Sequence, residues 1–219
     1  MSSGKITVEG RATFHVPADH ADISFTVSRR AATTGDAVTA AGAAYATLDR
    51  ALSGHASVIV RRSMTSLVVQ EIVRYDPATG TSTREGFSAS RTETVRFAPI
   101  DRAGDALRAA VVAVPELAVA GPHFGLDPEN PVHDAVRAAA AADARRAAEA
   151  YASGIGARLG AVRRLREPAD RDLVYDRGPR MMAMAKGAAG EAGETVLVDL
   201  TGEEVELTAV IELVAELEV

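Results

Sequence analysis

The chain has 219 residues, 47% hydrophobic and 25% charged, which is the composition of an ordinary globular protein and long enough to bury a sizeable core. It contains no cysteine, which excludes disulfides, thiolate metal sites and cysteine nucleophiles. The net charge is −6, and residues 187–219 carry nine acidic side chains and no basic one, so neither nucleic acid nor an anionic lipid surface is expected as a partner.

In chain order, residues 5–14 predict a first strand in which Ile6 and Val8 alternate with Thr7 and Glu9. Gly10 marks a bulge or a close backbone approach, and Pro17 closes the strand. From Ala21 to Ser28 the residues Ala21, Ile23, Phe25 and Val27 share one face, and Asp22, Ser24, Thr26 and Ser28 share the other. This is the pattern of a half-buried antiparallel strand. Thr34 is read as the cap of a helix whose apolar positions Val38, Ala41, Tyr45, Leu48 and Leu52 step by three and four, ended by Gly54. After Val58, Ile59 and Val60, a strand from Leu67 to Arg74, a turn at residues 76–80 and a return strand from Phe87 to Phe97 predict a long hairpin. Asp101 is read as the cap of a shorter helix with Leu107, Ala110, Val111 and Val114 inside, stopped by Pro115. A brief strand from Leu117 to Phe124 follows.

The longest helical pattern covers about residues 131–156, with Asn130 as N-cap and Pro131 at the first helical position, where its missing N–H costs nothing. Ala141, Ala144, Ala148, Tyr151, Ala152, Ile155 and Leu159 gather on one side, and Asp143, Arg145, Arg146 and Glu149 lie outside it. Alanine adds little bulk, so whatever meets Ala144, Ala148 and Ala152 must approach closely. That partner is either the chain's own sheet or another subunit, which makes the three alanines candidate assembly contacts. Val162 to Glu167 reads as a strand. Residues 168–194 have no sustained period and are rich in Gly, Ala and Pro, which predicts a mobile excursion. The C-terminus, from Glu203 to Val219, predicts the longest strand. Val205, Leu207, Ala209, Ile211, Leu213, Ala215 and Leu217 form its apolar face, and the opposite acidic face doubles as edge protection. Hairpin-paired strands with inserted helices define an α+β fold, with antiparallel sheets packed against three helices, one of them long.

No catalytic constellation emerges, so no catalytic residue and no cofactor is assigned. There is no Gly-x-Ser-x-Gly elbow, and Gly154-Ile155-Gly156 ends a helix where a dinucleotide fingerprint would begin one. His15, Asp19, His20 and Asp22 cluster around the first turn and would suit a divalent metal if they converged; the preferred reading is a solvated turn. Of His123 and His133, flanking the start of the long helix, one is read as packed and one as surface. Met181, Met182 and Met184 would serve as soft Cu(I) ligands or oxidisable sensors. The preferred reading is adaptable apolar residues sealing a subunit contact. Tyr45 and Tyr151 lie on their helices' apolar stripes and are read as core.

Several short segments in a fixed order carry a further signal: Ile6-Thr7-Val8-Glu9-Gly10; the entry from Pro17 to Asp22; Thr65-Ser66; Gly86-Phe87-Ser88-Ala89-Ser90; Phe124; Asp143-Ala144-Arg145; the spaced Gly156 and Gly160; Glu167; Met181-Met182-Ala183-Met184; and Gly202-Glu203. With these, the chain resembles the SIMPL-domain family, a bacterial group that includes periplasmic immunogenic proteins and an oxidative-stress defence factor. The resemblance covers residues 1–219 as one SIMPL-like domain and implies a two-lobed protein that assembles into homo-oligomers, with no catalytic residues to carry over. Many members begin with an export signal or lipid anchor. Here the N-terminus has no apolar h-region and no segment reaches 18 apolar residues, so a cytoplasmic location without membrane insertion is expected. The reading reached is a non-enzymatic homo-oligomeric scaffold or binding protein linked to stress defence. The alternative is a metal-handling or redox-sensing stress protein. A third, an adaptor that captures a protein partner by strand addition, requires the final strand to be an exposed edge.

Overall fold

A computed structural model describes residues 4–168, 174–176 and 203–218. Its elements are β1 (Gly4–Pro17), β2 (His20–Ala31), α1 (Thr34–Ser53), β3 (Ile59–Met64), β4 (Val68–Asp76), β5 (Thr81–Phe97), α2 (Ala103–Ala113), β6 (Ala118–Gly125), α3 (Val132–Gly154), β7 (Arg158–Arg166), β8 (Val174–Asp176) and β9 (Glu204–Glu218). Antiparallel sheets with three helices make this an α+β fold. The described residues fall into two compact units, one holding residues 4–18, 126–168, 174–176 and 203–218, the other residues 19–125. Among the described residues no helix is long and apolar enough to cross a membrane.

In the first unit β9 is the central strand, paired along its length with β1 on one side and with β7 and β8 on the other. The predicted alternation of β9 holds, with Val205, Leu207, Ala209, Ile211, Leu213 and Ala215 buried. Its expected role as a protected edge does not, because strands flank it on both sides. Its acidic face instead meets arginines of β7, with Glu216 bound to Arg163 at 2.9 Å and Glu212 to Arg166 at 2.8 Å. Strand addition at β9 is therefore closed. Val174–Asp176, inside the stretch expected to lack structure, pairs with β9 opposite residues 206–208.

α3 packs on β1 and β9. Asn130 Oδ1 accepts the Val132 backbone N–H at 3.0 Å, the capping interaction read from the sequence. The buried stripe is His133, Val136, Ala140, Ala144, Ala148 and Ala152, rotated from the expected one: Tyr151 and Ile155 are 65% and 70% exposed. Alanine is ambivalent about burial, so the helical period alone left the phase of the stripe undetermined. The stripe's partner is the chain's own sheet, where Ala144 and Ala148 share a core with Val8, Leu213 and Ala215. Ala144, Ala148 and Ala152 are thus core residues and not assembly contacts. Gly10 is the close approach anticipated for it: a Cβ there would lie 2.2 Å from the Ala144 backbone nitrogen.

The second unit's sheet has the order β3-β5-β2-β6, with β4 also paired to β5. Ala21, Ile23, Phe25 and Val27 of β2 are buried as read, and the Phe25 and Phe97 rings meet edge to face at 6.4 Å. α1 covers this apolar face, capped by Thr33, one residue before the expected Thr34; Thr33 Oγ1 accepts the Asp36 N–H. The opposite face carries hydroxyl pairs, Ser24 with Thr94 at 2.9 Å and Thr26 with Thr92 at 2.8 Å. Asp101 does not cap α2, because it sits in a 3₁₀ turn (Ile100–Arg102) that leads into the helix. Val111 on α2 is 43% exposed, and Ala103 and Ala106 take inner positions instead.

Candidate functional site

β5 presents Ala89, Glu93, Val95 and Phe97 on its buried face, so period two places one carboxylate in an apolar row. Glu93 is 1% exposed. Taking a carboxylate out of water costs several kcal/mol unless donors replace the water. Here Arg62 from β3 donates through Nε at 2.5 Å and Nη2 at 3.0 Å, and Tyr45 from α1 donates its hydroxyl at 3.0 Å. Arg62 Nη2 also reaches Asp49 Oδ1 at 2.8 Å, and the Arg91 guanidinium lies 5.3 Å from the Tyr45 ring centroid. Tyr45, Asp49, Arg62, Ser63, Met64 and Glu93 line an open groove of about 320 Å³.

The electrostatics follow from the contacts. Burial, then the Glu93 charge and the hydrogen bond to it, raise the Tyr45 phenol above its ordinary value. The hydrogen bond to Glu93 raises Arg62, outweighing burial, and Asp49 adds to it. These three donors take the place of the water that Glu93 loses on burial. The cluster ties β3 and α1 to β5.

A second feature of the same unit is an open sheet edge. β3 and β4 follow one another along a single side of β5, from Ile59 opposite Phe97 to Asp76 opposite Thr81. Between them Thr65 keeps the ladder going, its N–H donating to the Thr92 carbonyl at 2.9 Å. No strand covers the outer side of β3 and β4 among the described residues. Val60, Met64, Val68, Val69, Val73 and Tyr75 are all exposed along it.

The SIMPL family model, for proteins of unknown function (DUF541), matches residues 6–215. The chain belongs to this family. No curated protein matches it. The SIMPL motifs noted in the sequence fall where the backbone demands particular residues. Gly10 admits α3, and Asp143 of α3 accepts the Arg11 backbone N–H at 3.0 Å. Gly86 has φ +146°, and a Cβ there would lie 2.6 Å from the Ala31 carbonyl oxygen. Gly156, φ +74°, follows the end of α3.

The metal candidates of this SIMPL chain do not converge. His15 is exposed on β1, across from Glu206. His20 Nδ1 lies 2.6 Å from Asp19 Oδ1, and Asp22 accepts from Arg96 Nε and Nη2, both at 2.9 Å. The expectation of a solvated turn also fails for His20, which is buried against Gly125. Among the described residues no group of three or more His, Cys, Asp or Glu side chains could hold a metal ion. His133 is packed, with Nε2 3.0 Å from the Asp127 carbonyl oxygen, and His123 is exposed. Met181, Met182 and Met184 lie outside the described residues. Tyr45 is half-buried and turned to Glu93, and Tyr151 is not core at all. The sequence reading missed the Glu93 cluster. Its signal was a charged residue at a core-parity position, Glu93 two residues before Val95 and four before Phe97.

Proposed function

We propose that this SIMPL protein is a non-catalytic, self-assembling scaffold or binding protein. The observation that carries the reading is the outer edge of β3 and β4, which no strand covers among the described residues and beside which Val60, Met64, Val68, Val69, Val73 and Tyr75 are exposed. An uncovered sheet edge leaves backbone N–H and C=O groups open to pairing, and exposed apolar side chains beside it favour that pairing. The groove supports the non-catalytic part, because its buried carboxylate already has its partners in Arg62 and Tyr45 of the chain itself. Metal handling, the alternative, gains nothing from His15, Asp19, His20 and Asp22.

Light scattering on the full chain across roughly 1 to 100 μM is the test, since assembly follows mass action. A mass that is a multiple of one chain is expected. A single-chain mass throughout the range refutes the proposal.

A further inference from the structure

We propose that β4 is a homophilic edge: two copies of the chain pair antiparallel along Val68–Asp76, about a two-fold axis through Ile72. This rests on the self-assembly proposed above and names its contact.

Three of the other described sheet edges carry features that blunt pairing. β6 contains Pro122, which has no N–H to give, and its pairing with β2 is interrupted between Asp22 and Ser24. β1 has a backbone N–H, that of Arg11, taken by Asp143. β7 shifts register twice and is rich in arginine. β4 carries no proline, and at its one register shift, between Ile72 and Val73, the extra residue, Glu85, lies on β5. Its own nine residues therefore keep a regular outer edge.

A two-fold axis relating antiparallel neighbours stands perpendicular to the sheet and leaves every side chain on its own face. Residues facing each other must then have the same parity, so the axis passes through a residue. Pairing all of β4 puts that axis at Ile72. Val69 then faces the partner's Tyr75, an aromatic set against a β-branched residue, and Gln70 faces the partner's Arg74. Glu71 faces the partner's Val73, Val68 faces the partner's Asp76, and no like charges oppose each other. Moving the axis to Glu71 or to Arg74 sets that charge against itself. Moving it to Val73 shortens the overlap and puts Ile72 against the partner's Arg74. The strand is its own best complement in the longest register available to it, and this selects a second copy as the occupant.

The chain has no cysteine, so a single Ile72→Cys provides a clean probe. Directly opposed residues of antiparallel strands have Cα atoms roughly 4.5 to 5.5 Å apart, within the disulfide range. Under mild oxidation Ile72→Cys should form a covalent dimer at least about tenfold faster than Val112→Cys, a control on α2, because pairing raises the local thiol concentration. Val112 is 78% exposed. Equal rates, or no cross-link at residue 72, overturn the proposal. Ile72→Lys and Ile72→Glu provide a second arm. Each alone should lose assembly, with circular dichroism unchanged, and an equimolar mixture should regain it. Either variant assembling alone like the wild type, or a mixture that stays dissociated, overturns the proposal. A multimeric wild type with a silent Ile72→Cys removes β4 while leaving self-assembly standing. A monomeric wild type removes both.

Discussion

Gly10→Ala is the smallest change that should disrupt the first unit. The added Cβ would sit 2.2 Å from the Ala144 backbone nitrogen, 2.3 Å from the Ala140 carbonyl oxygen and 2.6 Å from the Ala144 Cβ. Two of these are backbone atoms, so no rotamer change relieves the overlap, and the helix must lift from β1 by about 1 Å to restore ordinary contact. That separation loosens the stripe that buries Ala140, Ala144 and Ala148 completely. Overpacking typically costs 1–3 kcal/mol, and an overlap with rigid backbone places this one near ~3 kcal/mol, a large share of a marginal stability. For a chain of this length the melting temperature should fall by roughly 6 to 12 °C. Thermal denaturation followed by circular dichroism at 222 nm reads this directly. A variant melting within about 2 °C of the wild type would refute the reasoning, because it would mean that α3 does not rest on the β1 backbone.

Two further predictions concern the second unit. Glu93→Gln keeps the shape and removes the charge, which should destabilise the protein by about 2 kcal/mol in urea unfolding by depriving partly buried Arg62 of its main partner. It should also lower the pH at which Tyr45 ionises, read at 295 nm with Tyr45→Phe to assign the signal among the four tyrosines; an unchanged titration would contradict the cluster's electrostatics. Burial raises the Asp22 carboxyl, but the Arg96 hydrogen bonds and charge outweigh it and hold the group below 3.8. A carboxyl lowered on folding stabilises the native state above its unfolded value, and that contribution disappears as pH falls through the folded value. Asp22→Asn should therefore cost about 1 kcal/mol at neutral pH, with the difference from wild type closing below about pH 4. A pH-independent difference would show that the pairing with Arg96 is not what the substitution removes.

Strong periodicity was legible wherever it pairs with residues of fixed preference. Ile23, Phe25 and Val27 against Ser24 and Thr26 admit one arrangement, and the odd-numbered apolar residues of β9 likewise. The same reasoning was weak on α3, where a run of alanines suits the interior and the surface almost equally. The buried phase was therefore set by Val136 and by the notch at Gly10, and Tyr151 was misplaced. Local capping was legible to within one residue, as Thr33 and Asn130 show. The Asp101 cap failed because a 3₁₀ turn intervenes.

By itself the sequence determined the class of fold, the strand faces, the ends of the long helix and the membership of the SIMPL family, since all of these depend on neighbours near in the chain or on ordered short motifs. Tertiary structure decided what depends on pairing between distant segments. It made β9 a central strand instead of an edge, brought Arg62 and Tyr45 onto Glu93 across separations of 31 and 48 residues, and left β4 without a neighbour on its outer side among the described residues. The physical reason is that hydrophobic periodicity tells a residue which face to turn inward, whereas an ion pair or a sheet edge exists only once a second strand has taken, or left open, the position beside it.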